Sequence, residues 1–212
     1  MADNLELAKK YFKRGNAKIP HGGPTKLKVA KLWEKAADLG YIEAQFALGD
    51  AYANAKTSQE DRAEHNYWGF WEHWAYNQLT ALTDGKNIKY DYLKAEKYLL
   101  KAKQQGHGHA LSSLAKLYCK GDAGVVDYQK LVPCAHEILE QNSMAILYKV
   151  GNKVAQSLLT FFLNAENKES KLKEEAKKLY ETYEAILPKI RENKNSSENY
   201  QEEAAYFQQQ AH

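Results

Sequence analysis

The chain repeats one pattern of small and apolar residues, and this repeat constrains its fold more than any other feature. A glycine is followed by alanine four residues on, leucine eight residues on and tyrosine or leucine twelve residues on. The pattern occupies Gly40, Ala44, Leu48 and Tyr52, then Gly106, Ala110, Leu114 and Tyr118, then Gly151, Ala155, Leu159 and Leu163. Internal repeats of this kind are typical of stacked helical hairpins, which usually offer an extended surface to a partner.

The residues around each glycine predict a hairpin of two helices. Apolar residues recur at three- and four-residue intervals in residues 29–37 and 95–102, which describes one face of a helix. Glycine tolerates the left-handed conformation that ends a helix, so Gly40 and Gly106 are predicted helix stops. Ala44 and Ala110 are small enough to let the second helix approach the first.

Residues 29–53 and 93–127 resemble the Sel1-like repeat, a relative of the tetratricopeptide repeat (TPR), and residues 151–165 resemble its second helix. The shared features are the alanine and aromatic positions, Lys-Ala-Ala, glycine, Ala-Gln, Leu-Gly and tyrosine. The resemblance implies an all-α fold: a right-handed α-α solenoid of Sel1-like, TPR-like helical hairpins with a C-terminal capping helix. It also implies a role in protein–protein contact.

The glycines at 40 and 106 are too far apart for neighbouring units of that family. Between them, Trp71, Ala75 and Leu79 keep the offsets of glycine, alanine and leucine. We therefore interpret residues 58–82 as a degenerate, aromatic-rich repeat, because long structureless loops are rare in compact domains. The expected organisation is a single solenoid over residues 1–192, followed by a polar helix or tail over residues 193–212.

Hydrophobic periodicity and capping residues predict the individual helices. Asp3 is a candidate cap for the first helix, and Thr25 for the second. The predicted helices cover residues 4–14, 26–39, 43–55, 59–67, 71–82, 92–105, 109–120, 129–141, 144–150, 154–165 and 172–192. The last of these is amphipathic and is expected to cap the open end of the stack, since terminal repeats need a polar outer face.

Composition excludes several classes of function. Acidic and basic residues nearly balance at a net charge of +3, so we expect neither nucleic acid nor a membrane surface as a partner. The first residues lack the basic start and apolar core of a secretory signal, which favours a cytoplasmic protein, although an export signal could have been trimmed. No stretch approaches the ~20 apolar residues of a membrane span.

Chemistry-bearing motifs are few. His107 and His109 flank a glycine, but no companion ligand stands at zinc-site spacing, so an inter-helix turn is the favoured interpretation. Cys119 and Cys134 have no pairing motif and are expected to be buried and reduced. We expect no cofactor, no metal and no enzymatic activity.

The segment of residues 67–76 carries more aromatic side chains than one solenoid repeat can bury. Three of the four tryptophans lie within residues 68–74, and a single helical stripe cannot bury all the rings of this run. Three interpretations stay open: the rings are core, packed between two neighbouring repeats; they are a partner-facing hot spot; or they form an aromatic box for carbohydrate or a nucleobase.

The expected function is an adaptor that binds another protein, as a monomer, on its concave face. First helices line that face in related solenoids, and the exposed residues of those helices are predicted to meet the partner. The candidate partner-binding residues are Lys31, Glu34, Lys94, Lys97 and Lys101, together with the aromatics Tyr67, Trp68, Phe70 and Trp74. Two alternatives stay open: an immunity or inhibitor protein that neutralises a bacterial toxin or enzyme, and an enzyme or ligand-binding protein that uses the concavity.

Overall fold

A computed structural model describes residues 2–17, 25–55, 87–122, 124–163 and 170–193. Within these ranges the chain is all-helical, with two isolated β-bridges and no strand, which confirms the predicted all-α class. The helices are α1 Ala2–Asn16, α2 Leu27–Asp38, α3 Ile42–Asn54, α4 Tyr92–Gln104, α5 Ala110–Lys120, α6 Tyr128–Gln141, α7 Met144–Leu163 and α8 Ser170–Asn193. The helices predicted over 59–67 and 71–82, and the tail over 194–212, lie outside the described residues.

The chain forms two compact units, Met1–His107 and Gly108–His212. The first contains α1 to α4, and the second contains α5 to α8. The right-handed solenoid, and its extent over residues 1–192 as a single domain, stay predictions.

Gly40 ends α2 in the way that the repeat predicts. Its φ angle is 87°, in the left-handed region that favours glycine. The backbone N–H of Gly40 donates to the carbonyl of Ala37 at 3.0 Å, and that of Tyr41 donates to the carbonyl of Ala36 at 3.1 Å. These two hydrogen bonds form a Schellman motif, which satisfies the last carbonyls of the helix and turns the chain sharply into α3.

The end of α4 repeats this geometry. Gly106 has a φ angle of 84°, its N–H donates to the carbonyl of Lys103 at 2.9 Å, and that of His107 donates to the carbonyl of Ala102 at 3.0 Å. The recurrence of glycine in the sequence is therefore a recurrence of the same helix stop. Ala44 and Ala110, the predicted close-approach positions, are both fully buried.

Packing in the first unit runs through successive helices. Phe12 of α1 lies 6.0 Å from the Trp33 ring of α2, measured between centroids. A β-carbon added at Gly49 of α3 would lie 2.7 Å from Leu99 Cγ and 2.9 Å from the Leu99 backbone nitrogen. Glycine at position 49 therefore lets α3 and α4 approach more closely than any side chain would allow.

A polar network joins α2, α3 and the end of α4. The buried Gln45 donates from Nε2 to the carbonyl of Ala37 at 3.2 Å, and its Oε1 accepts from Gln105 Nε2 at 2.6 Å. The start of α2 is tied to the segment before α4 as well, since the Ile88 N–H donates to the Thr25 carbonyl at 3.0 Å. The helices α2 and α4 therefore begin at the same edge of the unit.

The second unit is built around α7 and α8. The buried stripe of α8 confirms that this helix is amphipathic; its members are Ala176, Leu179, Tyr183, Leu187 and Ile190. The Tyr183 hydroxyl donates to the carbonyl of Ala135 in α6 at 3.0 Å, so the one polar atom of this buried ring is satisfied. The side chain of Asp127 caps α6 by accepting from the Lys130 N–H at 3.2 Å.

The structure corrects the expected break at Gly151. Residues 144–150 and 154–165 were predicted as separate helices, but α7 is continuous from Met144 to Leu163, with the buried Gly151 in its interior. The reason is tertiary: a β-carbon at position 151 would lie 2.7 Å from Leu187 Cδ2, so the glycine makes room for α8. The third copy of the sequence pattern therefore does not form a turn between two helices, unlike the copies at Gly40 and Gly106.

Two capping predictions were wrong. The N-cap residue of α2 is Lys26, whose side chain makes no capping hydrogen bond because an ammonium group has no acceptor. Thr25 lies one residue earlier, where its backbone carbonyl accepts from the Ile88 N–H. At the start of the chain, α1 already includes Ala2, which places Asp3 in its first turn. A carboxylate there still interacts favourably with the positive end of the helix dipole.

Candidate functional site

The exposed face of α2 carries part of the predicted surface. The opposite face of this helix is buried and includes Val29, Ala30, Trp33, Ala36 and Ala37. Lys31 and Asp38 are exposed, and Glu34 is half-buried. The side chains at positions 31, 34 and 38 share one face of the helix because they are separated by three and four residues.

Tyr52 connects this face to α3. Its ring is buried, with 4% exposed, and its hydroxyl donates to Glu34 Oε1 at 3.2 Å. Burial raises the pKa of Tyr52 well above its usual value, and the negative charge of Glu34 raises it further. The hydroxyl therefore stays a hydrogen-bond donor to Glu34 throughout the neutral range.

Three lysines of α4 lie over tyrosine rings of the same face. Lys94 Nζ lies 5.1 Å from the Tyr52 ring centroid. Lys97 Nζ and Lys101 Nζ lie 5.2 Å and 5.9 Å from that of Tyr98, a ring that is itself buried. These are cation–π distances, so the rings hold the long lysine side chains over the face.

Asp38 and Glu34 of α2 act electrostatically on Tyr98. Burial raises the pKa of Tyr98, and the negative charges of Asp38 and then Glu34 raise it further. Charged side chains of α2 and α4 thus interact with two buried tyrosines, Tyr52 and Tyr98. We call the surface formed by Glu34, Tyr52, Lys94, Lys97, Tyr98 and Lys101 the lysine–tyrosine face.

The charges of the lysine–tyrosine face are only partly neutralised. Lys94 Nζ lies 3.6 Å from Asp91 Oδ2, at the start of the same helix. Lys97 and Lys101 have no carboxylate partner among the residues that the structure describes. The face therefore presents two ammonium groups that are held by a ring and available to an anionic group.

The structure gathers four of the nine predicted site residues. Glu34, Lys94, Lys97 and Lys101 lie on the lysine–tyrosine face. Lys31 is exposed on α2, but no hydrogen bond, ion pair or ring contact joins it to that face in the described part of the chain. The aromatic candidates lie outside the described residues; they are Tyr67, Trp68, Phe70 and Trp74.

Sequence reasoning missed three residues of this region. Tyr52 and Tyr98 were interpreted only as packing positions, although a phenol is large enough to be buried while its hydroxyl reaches a polar partner. Leu93 was not singled out, yet 72% of it is exposed, and it precedes Lys97 by one helical turn. The signal for Leu93 was the helical spacing of residues 93, 97 and 101.

The histidines flanking Gly108 have partners other than a metal. The His107 ring stacks on Phe46 with 4.0 Å between centroids, and its Nε2 lies 3.5 Å from Glu43 Oε2. Burial lowers the pKa of His107, although the charge of Glu43 opposes this shift. His109 Nδ1 lies 3.3 Å from Lys149 Nζ. Within the described ranges, no three histidine, cysteine, aspartate or glutamate side chains are grouped so that they could hold a metal ion.

Both cysteines are buried and no disulfide joins them, as predicted. Burial raises the pKa of the Cys119 thiol, while a hydrogen bond to Ser157 and the charge of Lys153 lower it less strongly. A thiol in this setting is mostly protonated and weakly nucleophilic at neutral pH.

Among the described helices, none is long and apolar enough to cross a membrane. Comparison of the chain with protein-family models, with curated proteins and with solved structures found no match.

Proposed function

We propose that the protein is a Sel1-like interaction module, which binds another protein on the lysine–tyrosine face and acts by binding rather than by catalysis. The observation that carries this proposal is the convergence of three lysines and Glu34 on two buried tyrosine rings. The side chains come from three helices, α2, α3 and α4. Resemblance to the Sel1-like repeat supports the same function, because such repeats are protein-binding modules.

The lysine–tyrosine face is organised before any partner arrives. A free lysine loses side-chain entropy when it is fixed at an interface, at a cost of about 0.5–1.5 kcal/mol for each side chain. Lys97 and Lys101 already lie over Tyr98, and the Tyr98 ring is 6% exposed and therefore fixed by the core. Part of the side-chain entropy is therefore already lost when the protein folds, so less of it is lost on binding.

The experiment is affinity purification of the tagged protein from the organism that produces it, followed by mass spectrometry. The test variant is Lys97→Glu/Lys101→Glu, which reverses both charges. The control variant is Lys116→Glu/Lys189→Glu, which changes the net charge equally at two exposed lysines of α5 and α8. Circular dichroism and thermal melts of all three proteins verify that the fold is retained.

We expect at least one protein to be captured by the parent and by the control variant, and to be lost from the test variant. Capture that is equal for all three proteins would contradict the proposal. The identity of the captured protein separates an adaptor from the inhibitor alternative, since an inhibitor retains a toxin or enzyme and abolishes its activity in a direct assay.

A further inference from the structure

An exposed stripe on α4 combines an apolar residue with two lysines. Leu93 is 72% exposed, and Lys97 and Lys101 follow it at intervals of four residues. Residues four apart lie on the same face of a helix, about 6 Å apart along its axis. We call Leu93, Lys97 and Lys101 the α4 stripe; it forms one edge of the lysine–tyrosine face.

The two lysines of the α4 stripe are less neutralised by nearby carboxylates of the described chain than Lys94 is. Lys94 Nζ lies 3.6 Å from Asp91 Oδ2, whereas Lys97 and Lys101 have the Tyr98 ring but no ion pair or hydrogen bond within the described chain. A carboxylate placed beside them would replace a ring contact with a charge-assisted hydrogen bond, which is the stronger interaction.

The charges beside the α4 stripe argue against a continuous polyanion. Asp38 and Glu34 of α2 act electrostatically on Tyr98, the ring over which Lys97 and Lys101 lie. A nucleic-acid backbone carries phosphates at every nucleotide, so it would bring negative charge against these carboxylates. A segment with two localised carboxylates avoids that repulsion.

We infer that the α4 stripe binds an acidic amphipathic helix of a partner protein, with an apolar side chain on Leu93 and two carboxylates facing Lys97 and Lys101. This inference rests on the proposed function and specifies the partner. A helix fits because its own residues at intervals of four repeat about every 6 Å, matching the stripe in either direction. An extended strand repeats on one face about every 6.7 Å, so its third contact is displaced from the stripe by about 1.4 Å and matches it less closely than a helix does.

The probe is an alanine-based helical peptide of about 20 residues, long enough to be helical in water. It carries leucine at one position and glutamates four and eight residues later. One control peptide has the same composition with the glutamates on the opposite face, and another replaces both glutamates by glutamine. Binding to the full-length protein is measured by fluorescence anisotropy at low and physiological salt, with an oligothymidylate as the polyanion probe.

We expect the first peptide to bind about tenfold more tightly than either control peptide, since both the carboxylates and their placement contribute. Lys97→Glu/Lys101→Glu should weaken it about tenfold or more, mainly through slower association. Leu93→Ala should weaken it severalfold with little change in salt dependence, whereas Leu163→Ala, which truncates a leucine of α7 that is 66% exposed, should leave it unchanged.

Three results would overturn the inference: equal binding of all peptides, binding unaffected by the α4-stripe variants, or tighter binding of the oligothymidylate through the same lysines. The purification experiment separates this failure from that of the proposed function. If a protein captured by the parent is lost from Lys97→Glu/Lys101→Glu but is not displaced by the first peptide, the face binds protein and the inferred partner chemistry is wrong.

Discussion

Tyr52 and Glu34 lie 18 residues apart in the chain, and the hydroxyl of the first donates a hydrogen bond of 3.2 Å to Oε1 of the second. The bond joins α3 to the exposed face of α2 and ties the Glu34 carboxylate to Tyr52, the ring over which Lys94 lies. One tyrosine therefore belongs both to the core, through its ring, and to the candidate binding face, through its hydroxyl.

Replacing Tyr52 with phenylalanine should lower the free energy of unfolding by about 0.5–1.5 kcal/mol, the usual net contribution of one hydrogen bond. Urea unfolding measures the change. The matched control is Tyr98→Phe, because the Tyr98 hydroxyl makes no hydrogen bond within the described residues, and its loss should cost less. Equal losses for the two variants would mean that the Tyr52–Glu34 bond contributes nothing.

Stability should fall at alkaline pH, and Tyr183 should be one of its causes. Burial raises the pKa of Tyr183 above its usual value of 10.0. As the pH rises, the unfolded chain therefore loses the phenol proton before the folded protein does. The contribution of Tyr183 to the free energy of unfolding is fully present below pH 10 and decreases above it, by about 1.4 kcal/mol per pH unit for one such group. Urea unfolding between pH 8 and 11 should show a shallower decline for Tyr183→Phe than for the parent, and parallel declines would contradict the assignment.

Two buried glycines should respond differently to alanine. At Gly49 the new β-carbon meets the Leu99 backbone nitrogen at 2.9 Å, which cannot move without moving α4. We expect Gly49→Ala to destabilise the protein by about 1–3 kcal/mol, as overpacking does. At Gly151 the closest atom is the end of the Leu187 side chain, which can rotate away. Alanine also gains about 1 kcal/mol of helix propensity there, so thermal melts should show Gly151→Ala within about 1 kcal/mol of the parent.

Leucine at Ala44 should overpack the crossing of α2 and α3 and cost about 1–3 kcal/mol. Ala44 is fully buried, whereas Ala47 of the same helix is only half-buried. Ala47→Leu is therefore the control, and its thermal melt should lie closer to that of the parent. If Ala44→Leu had the same melting temperature as the parent, position 44 would not be a tightly packed helix crossing.

The sequence predicts best what is decided locally. Gly40 and Gly106 end helices because a left-handed residue is needed where the helix stops, and the glycine and the end of the apolar stripe before it are both visible in the sequence. Burial of Ala44 and Leu48 follows from the same register.

What the sequence predicts poorly depends on distant residues. Gly151 has the same offsets as the two stop glycines, yet it lies inside α7, and the residue that explains this, Leu187, comes 36 positions later. The hydrogen bond between Tyr52 and Glu34 is hidden for the same reason, because spacing identifies a buried ring without indicating what its hydroxyl reaches. On the candidate face, helical spacing placed the three lysines on the outer side of one helix, whereas the tyrosine rings beneath them came only from the structure.

The division of the chain after His107 also separates its intrinsic probes. All four tryptophans precede this boundary, whereas Cys119 and Cys134 both follow it. Trp33 is buried in the first unit, so its indole fluorescence monitors that unit, and the accessibility of the two buried thiols to an alkylating reagent monitors the second. Following both signals through one denaturant titration of the native protein, without introducing a label, measures whether the two halves unfold as one cooperative system or independently.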